Sequence, residues 1–168
     1  MTETEFNWLL KYGKRTDNIN GELIQVNQLP FCYIKWEFAN LIKTDIITAT
    51  KKGLDYLEID YKYLDSRELT SIFLYLYDEI LTKEGLIYHL EETYLKSVPD
   101  PDMIASGQHR LNDFNNLLTL YNLANEDVLK IDEVSKQPYQ FLLDVQVMKK
   151  IQGEIQSNYH KIISNKKR

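Results

Sequence analysis

Seven side chains near the end of the chain constrain its fold most. Phe141, Val145, Met148, Gln152, Ile155, Tyr159 and Ile162 step by 4, 3, 4, 3, 4, 3. That interval holds one stripe of an α-helix in a single direction over three heptads. Pro138 suits the first turn of such a helix, because its missing N–H would be unpaired there anyway. A helix over residues 138–163 is therefore predicted, roughly 39 Å long at 1.5 Å per residue. Gln152 is the one fully polar member of the stripe and Tyr159 the one amphipathic member. Leu142 and Ile151 widen it over part of its length. A compact domain of this chain length is about 40 Å across, from a gyration radius of ~15 Å. So the helix crosses the whole domain or projects from it. In the first arrangement it packs antiparallel on other helices of its own chain. In the second, residues 152–163 leave the body and join a partner chain.

Charge divides the chain at the same helix. Residues 1–148 hold 14 Lys/Arg and 24 Asp/Glu, a balance of −10. Residues 149–168 hold six basic side chains (Lys149, Lys150, Lys161, Lys166, Lys167, Arg168) and the single acid Glu154, a balance of +5. An acidic body repels nucleic acid, so direct contact with it is expected only through the basic tail. The same tail also complements the helix macrodipole, and it complements the acidic body of a second copy.

The rest of the chain reads as short helices. Phe6, Leu9 and Leu10 define a first helix over residues 4–12, with Thr2 or Thr4 as cap and Gly13 as stop. Residues 14–21 are rich in turn formers, and residues 21–26 have the β-branched character of a short strand. Pro30 begins a helix carried by Phe31, Ile34, Phe38, Leu41, Ile42 and Ile46, with Gly53 as its end. Residues 56–63 alternate, with Leu57, Ile59, Tyr61 and Tyr63 apolar, which is the pattern of a half-buried strand pairing with 22–26. A helical reading of 56–63 remains open. Asp65 and Glu68 form a capping box before a helix that is apolar on most sides. Gly85 breaks it, and a helix resumes over 86–96. Residues 98–108 contain two prolines alternating with two aspartates and read as a loop long enough for a contact role. Helices over 110–122 and 127–134 precede the terminal one.

Most familiar chemistries lack their residues. The six glycines are scattered and form no phosphate-binding loop. The three histidines, His89, His109 and His160, form neither His-Glu-x-x-His nor Glu-x-x-His. One cysteine, Cys32, builds neither a disulfide nor a cysteine-rich zinc site. Cys32 stands near a helix start, where a thiolate is favoured, but between Phe31 and Tyr33, where a buried thiol is the ordinary outcome. Twelve acids between Asp55 and Asp102 lack calcium-loop spacing and read as a solvated face. No catalytic or metal site and no cofactor is expected, and the chain is expected not to be an enzyme.

Hydrophobic residues at 43% and charged residues at 27% match a globular domain. No run approaches 18 apolar residues, and the first residues lack the pattern of a signal peptide, so a cytoplasmic site at synthesis is expected. The expected architecture is a mainly α, multi-helix bundle of five to seven helices. It has at most a small two-stranded β element before residue 65. Residues 1–137 form the helical body and residues 138–168 the long heptad-patterned helix with its basic tail. The expected function is a non-enzymatic structural or assembly protein acting through protein–protein contacts. Its partners are further copies of itself, the basic tail of one meeting the acidic body of the next in a ring, and neighbouring assembly components. The interface residues are the seven of the stripe with Lys166, Lys167 and Arg168. The 12 tyrosines and frequent Ile, Lys and Asn suggest an AT-rich genome. By analogy this points to a phage virion component of the neck, head–tail connector or tail-ring type. The alternative is an acidic binding module, such as an inhibitor, an immunity protein or an assembly chaperone, that faces a basic partner.

Overall fold

The computed structural model describes residues 2–96 and 101–166. It is mainly α, with many helices and one small two-stranded antiparallel sheet, as the sequence implies. Helix α1 spans Glu3–Tyr12 and begins in a capping box, where Thr2 accepts from the Glu5 N–H and Glu5 reaches back to the Thr2 N–H. Arg15 then returns along the chain. Its guanidinium donates to the carbonyls of Leu10 and Gly13 and pairs with Asp78 at 2.7 Å, tying the end of α1 to a later helix.

The strand expected over 21–26 is shorter and has another partner. Strand β1 (Asn18–Ile19) pairs with β2 (Glu22–Leu23) around Asn20-Gly21, whose φ values are 52° and 84°. Asparagine and glycine tolerate this left-handed backbone, and the two-residue turn matches strand twist. Residues 56–63 form no strand. The end of helix α3 (Ile46–Tyr56) winds into turns there, and Glu58 takes φ 58°. Ile59 still points into the core, so the alternation came from a buried turn and not from a sheet.

The helix expected from Pro30 to Gly53 is two helices. Phe31 starts a helix that includes a π-helical turn, Tyr33–Glu37, and continues into α2 (Phe38–Leu41). It stops because Thr44 donates to the Leu41 carbonyl and Asp45 caps α3 by accepting from the Ile47 N–H. Short polar side chains in a β-branched run offer the backbone these local bonds in place of a continuing helix. Gly53 lies inside α3. A Cβ there would stand 2.6 Å from the Tyr33 hydroxyl oxygen, so glycine allows this close approach.

Asp65 caps α4 (Ser66–Leu81) with the full capping box the sequence shows. Helix α4 is the central element, burying Leu69, Ile72, Phe73, Leu74, Leu76 and Ile80. Gly85 follows it, and a Cβ there would meet the Asp78 carbonyl oxygen at 2.2 Å. Helix α5 spans Leu86–Tyr94. Part of the loop expected over 98–108, residues 98–100, lies outside the described residues. From Pro101 onward the chain is helical instead, as α6 (Pro101–Ala105) and a 3-10 segment, Gln108–Phe114. Helix α7 (Asn115–Leu123) therefore starts later than the predicted residue 110. A 3-10 turn, Val128–Lys130, leads into α8 (Ile131–Ser135), and α9 spans Tyr139–Lys166.

The two proline-led helices start side by side. Pro30 and Pro138 form an isolated antiparallel bridge, with the Phe31 N–H donating to the Gln137 carbonyl and the Tyr139 N–H to the Leu29 carbonyl. This bridge fixes the root of α9 in the core beside Leu29, which is fully buried. Phe31 and Tyr139 stack there, with centroids 6.0 Å apart.

Candidate interaction surface on the terminal helix

Helix α9 carries two apolar faces with different ranges. Tyr139, Leu142 and Leu143 are buried in the body, and Gln146 and Val147 are half-buried beside them. At about 100° per residue, the predicted stripe from Phe141 to Ile162 points roughly 180° away from this inner face. Phe141, Met148, Ile155, Tyr159 and Ile162 are accordingly 50–62% exposed. Val145 is half-buried and Gln152 is exposed. Lys166 is exposed, and Lys167 and Arg168 lie outside the described residues. Leu142, read from the sequence as widening the stripe, turns instead into the core. Ile151 does flank the stripe and is exposed.

The inner face ends where the helix leaves the body. Lys149 donates to the Asn122 carbonyl and, at 3.3 Å, to the Asn125 side chain. Lys150 donates to the carbonyls of Tyr94 and Lys96 at 3.2 and 3.0 Å. Two ammonium groups thus reach the C-terminal ends of α7 and α5, where the last carbonyls lack the N–H of a continuing helix and the macrodipole is negative. Every residue from 151 to 162 is exposed. On the inner side that stretch presents Gly153, Ser157, His160 and Lys161, which suit water. The outer stripe continues unchanged through Ile162. The sequence therefore supplies an inner apolar face only where the body is present, and an outer one along the whole length.

A groove flanks the outer stripe where α9 crosses α5. It has a volume of about 570 Å³ and is lined chiefly by Leu90, Tyr94, Leu143, Val147, Met148 and Ile151. Leu90 and Tyr94 were missed as surface features, because their helical line reads as core. The root of α9 is held by a polar cluster. Lys35 pairs with Glu91, and the Tyr139 hydroxyl donates to the same carboxylate oxygen at 2.7 Å. Burial first, and then the Glu91 carboxylate, push the Tyr139 phenol far above its ordinary pKa. Burial does the same to Tyr33, whose hydroxyl donates to the Ala49 carbonyl at 2.7 Å.

Cys32 is buried. Burial, and next the Glu37 carboxylate, raise its thiol pKa, the opposite of an activated thiolate. His89 and His160 are exposed. Among the described residues, no three or more His, Cys, Asp or Glu converge to hold a metal ion, and no helix is long and apolar enough to cross a membrane. No family model, no curated protein and no solved structure matches the chain. The reading of function therefore rests on the surface of α9.

Proposed function

We propose that this chain is a structural or assembly protein that works through protein–protein contacts made by the outer face of α9, and that copies of itself are among its partners. The observation that carries the reading is the outer stripe: apart from Gln152 it stays apolar or amphipathic from Phe141 to Ile162 while the inner face turns polar past Val147. An apolar stripe kept beyond the reach of its own body favours another chain as its cover. Heptad spacing suits a partner helix.

Magnitudes set the expected strength. Phe141, Met148, Ile155, Tyr159 and Ile162 each keep about half their surface in water. Covering that remainder yields roughly 1 kcal/mol per side chain, or ~10 kcal/mol for two copies. Association costs about 4–15 kcal/mol in lost freedom. The balance is small, so assembly depends on concentration. A virion component of the neck, connector or tail-ring kind is one setting that supplies high local concentration; the AT-rich residue usage is its only support.

The test is absolute mass by light scattering, from micromolar to near-millimolar protein. The mass is expected to rise above the 19.9 kDa of one chain. The double variant Ile155→Asp/Ile162→Asp is expected to stay at one chain with an unchanged helical signal, since both side chains are exposed. A wild-type mass constant at 19.9 kDa would overturn the reading.

A further inference from the structure

We infer that the outer faces of two α9 helices pair antiparallel, so that the projecting half of each lies on the body-anchored half of the other and its basic end reaches the other copy's acidic body. This pairing rests on the self-association proposed above. In the single chain the outer face has two parts. Phe141, Val145 and Met148 sit on the part anchored to the body, and Ile155, Tyr159 and Ile162 on the part that projects. Gln152 is the fourth of the seven stripe members and lies between them. A pair that overlaps over the whole stripe covers both parts in either orientation, so apolar burial does not choose between them.

Charge chooses. After Glu154 the helix has no acid, and it carries Lys161 and Lys166, with Lys167 and Arg168 next in sequence. A parallel pair sets two such ends side by side, with Lys166, which continues the line of the outer stripe, beside its own copy. An antiparallel pair separates them and brings each to the root of the other copy's α9. There Asp144 is exposed at the edge of the stripe and Glu133 is exposed on α8 just before α9, beside Asp132, which pairs with Lys136 at 2.6 Å. The body that bears them has a balance of −10 over residues 1–148. Antiparallel alignment also opposes the two helix dipoles. The arrangement is a closed twofold pair in which the same patch serves both copies.

Cysteine cross-linking reads the orientation directly. Phe141 and Ile162 are both exposed, so replacing them leaves the fold intact, and wild-type protein with its buried Cys32 is the control. In the antiparallel pair, two copies of residue 162 lie about 32 Å apart, from 21 residues at 1.5 Å each. At a concentration where light scattering gives two chains, a short bis-maleimide should convert Phe141→Cys/Ile162→Cys to a covalent dimer. It should leave Ile162→Cys alone at single-chain mass. Cross-linking of Ile162→Cys alone, as efficient as that of the double variant, would mean a parallel pair and would overturn the inference while leaving self-association intact. So would a dimeric double variant that fails to cross-link, or a mass of more than two chains. A wild-type mass that never exceeds one chain would instead remove self-association itself.

Discussion

Tyr33 and Tyr139 show how single residues set the limits of this fold. Each is a buried phenol whose hydroxyl has one acceptor, the Ala49 carbonyl for Tyr33 and the Glu91 carboxylate for Tyr139. Ionisation would place a phenolate in an apolar core, and for Tyr139 against a carboxylate as well. Both pKa values are therefore raised in the folded chain, while the unfolded chain ionises near pH 10. Above that pH the unfolded state releases protons that the folded state keeps. The stability these tyrosines contribute is complete below about pH 10 and is lost as pH rises beyond it, by ~1.4 kcal/mol per pH unit for each. Urea unfolding from pH 9 to 11.5 should show this decline. Tyr139→Phe should make it shallower by about 1.4 kcal/mol per pH unit, at the cost of the Glu91 hydrogen bond at neutral pH, about 1.5–3 kcal/mol. An unchanged slope in the variant would mean that Tyr139 does not stay protonated in the fold. None of this was legible in the sequence, where these are two of 12 tyrosines. The acceptors that make them special come from α3 and α5, which meet them only through tertiary packing.

Elements differ in how much of them the sequence shows. The capping box at Asp65 and Glu68 is readable because all its bonds lie within three residues. The Asn20-Gly21 hairpin was equally local, and its turn signal is plain once the short strands on either side are seen. The helix over residues 30–53 misled because apolar spacing continues through the Thr44-Asp45 break. Periodicity records which side chains face the core and is silent about a backbone that stops and restarts. Residues 56–63 misled for a related reason, since alternate residues can enter a core from consecutive turns. In α9 the stripe was legible in full, but not its side. Gln152 is the sharpest probe of that side. Gln152→Ile should strengthen the assembly more than tenfold and change its copy number if residue 152 lies within the seam, because a polar seam position sets register at a cost in stability. Light scattering over a concentration series measures both. An unmoved midpoint and stoichiometry would place Gln152 on a solvated face outside the interface.

At the scale of the molecule, the chain joins a packed body to a helix that outlasts it. Among the described residues the last tertiary hydrogen bonds along α9 come from Lys149 and Lys150, and residues 151–162 are all exposed. A chain ending at residue 151 should therefore fold with its unfolding free energy within about 0.5 kcal/mol of the full chain, the usual range for changes to exposed surface. It should also remain a single chain at concentrations where the full protein assembles. Circular dichroism with thermal unfolding checks the first point and light scattering the second. A large loss of stability would mean that residues 152–166 pack on the body after all. By itself the sequence determined the fold class, the cap at Asp65, the choice of Thr2 or Thr4 as the first cap, the long terminal helix and the charge difference between body and tail. These depend on periodicity, short-range hydrogen bonds and composition, which are properties of neighbouring residues. Only the tertiary structure decided that the Phe141–Ile162 stripe faces away from the core, because Tyr139, Leu142 and Leu143 on the opposite side are the residues buried in it. A helix with apolar residues on two sides can bury either one. The Pro30–Pro138 bridge and the Lys35–Glu91–Tyr139 cluster, formed by residues far apart in the chain, fix which.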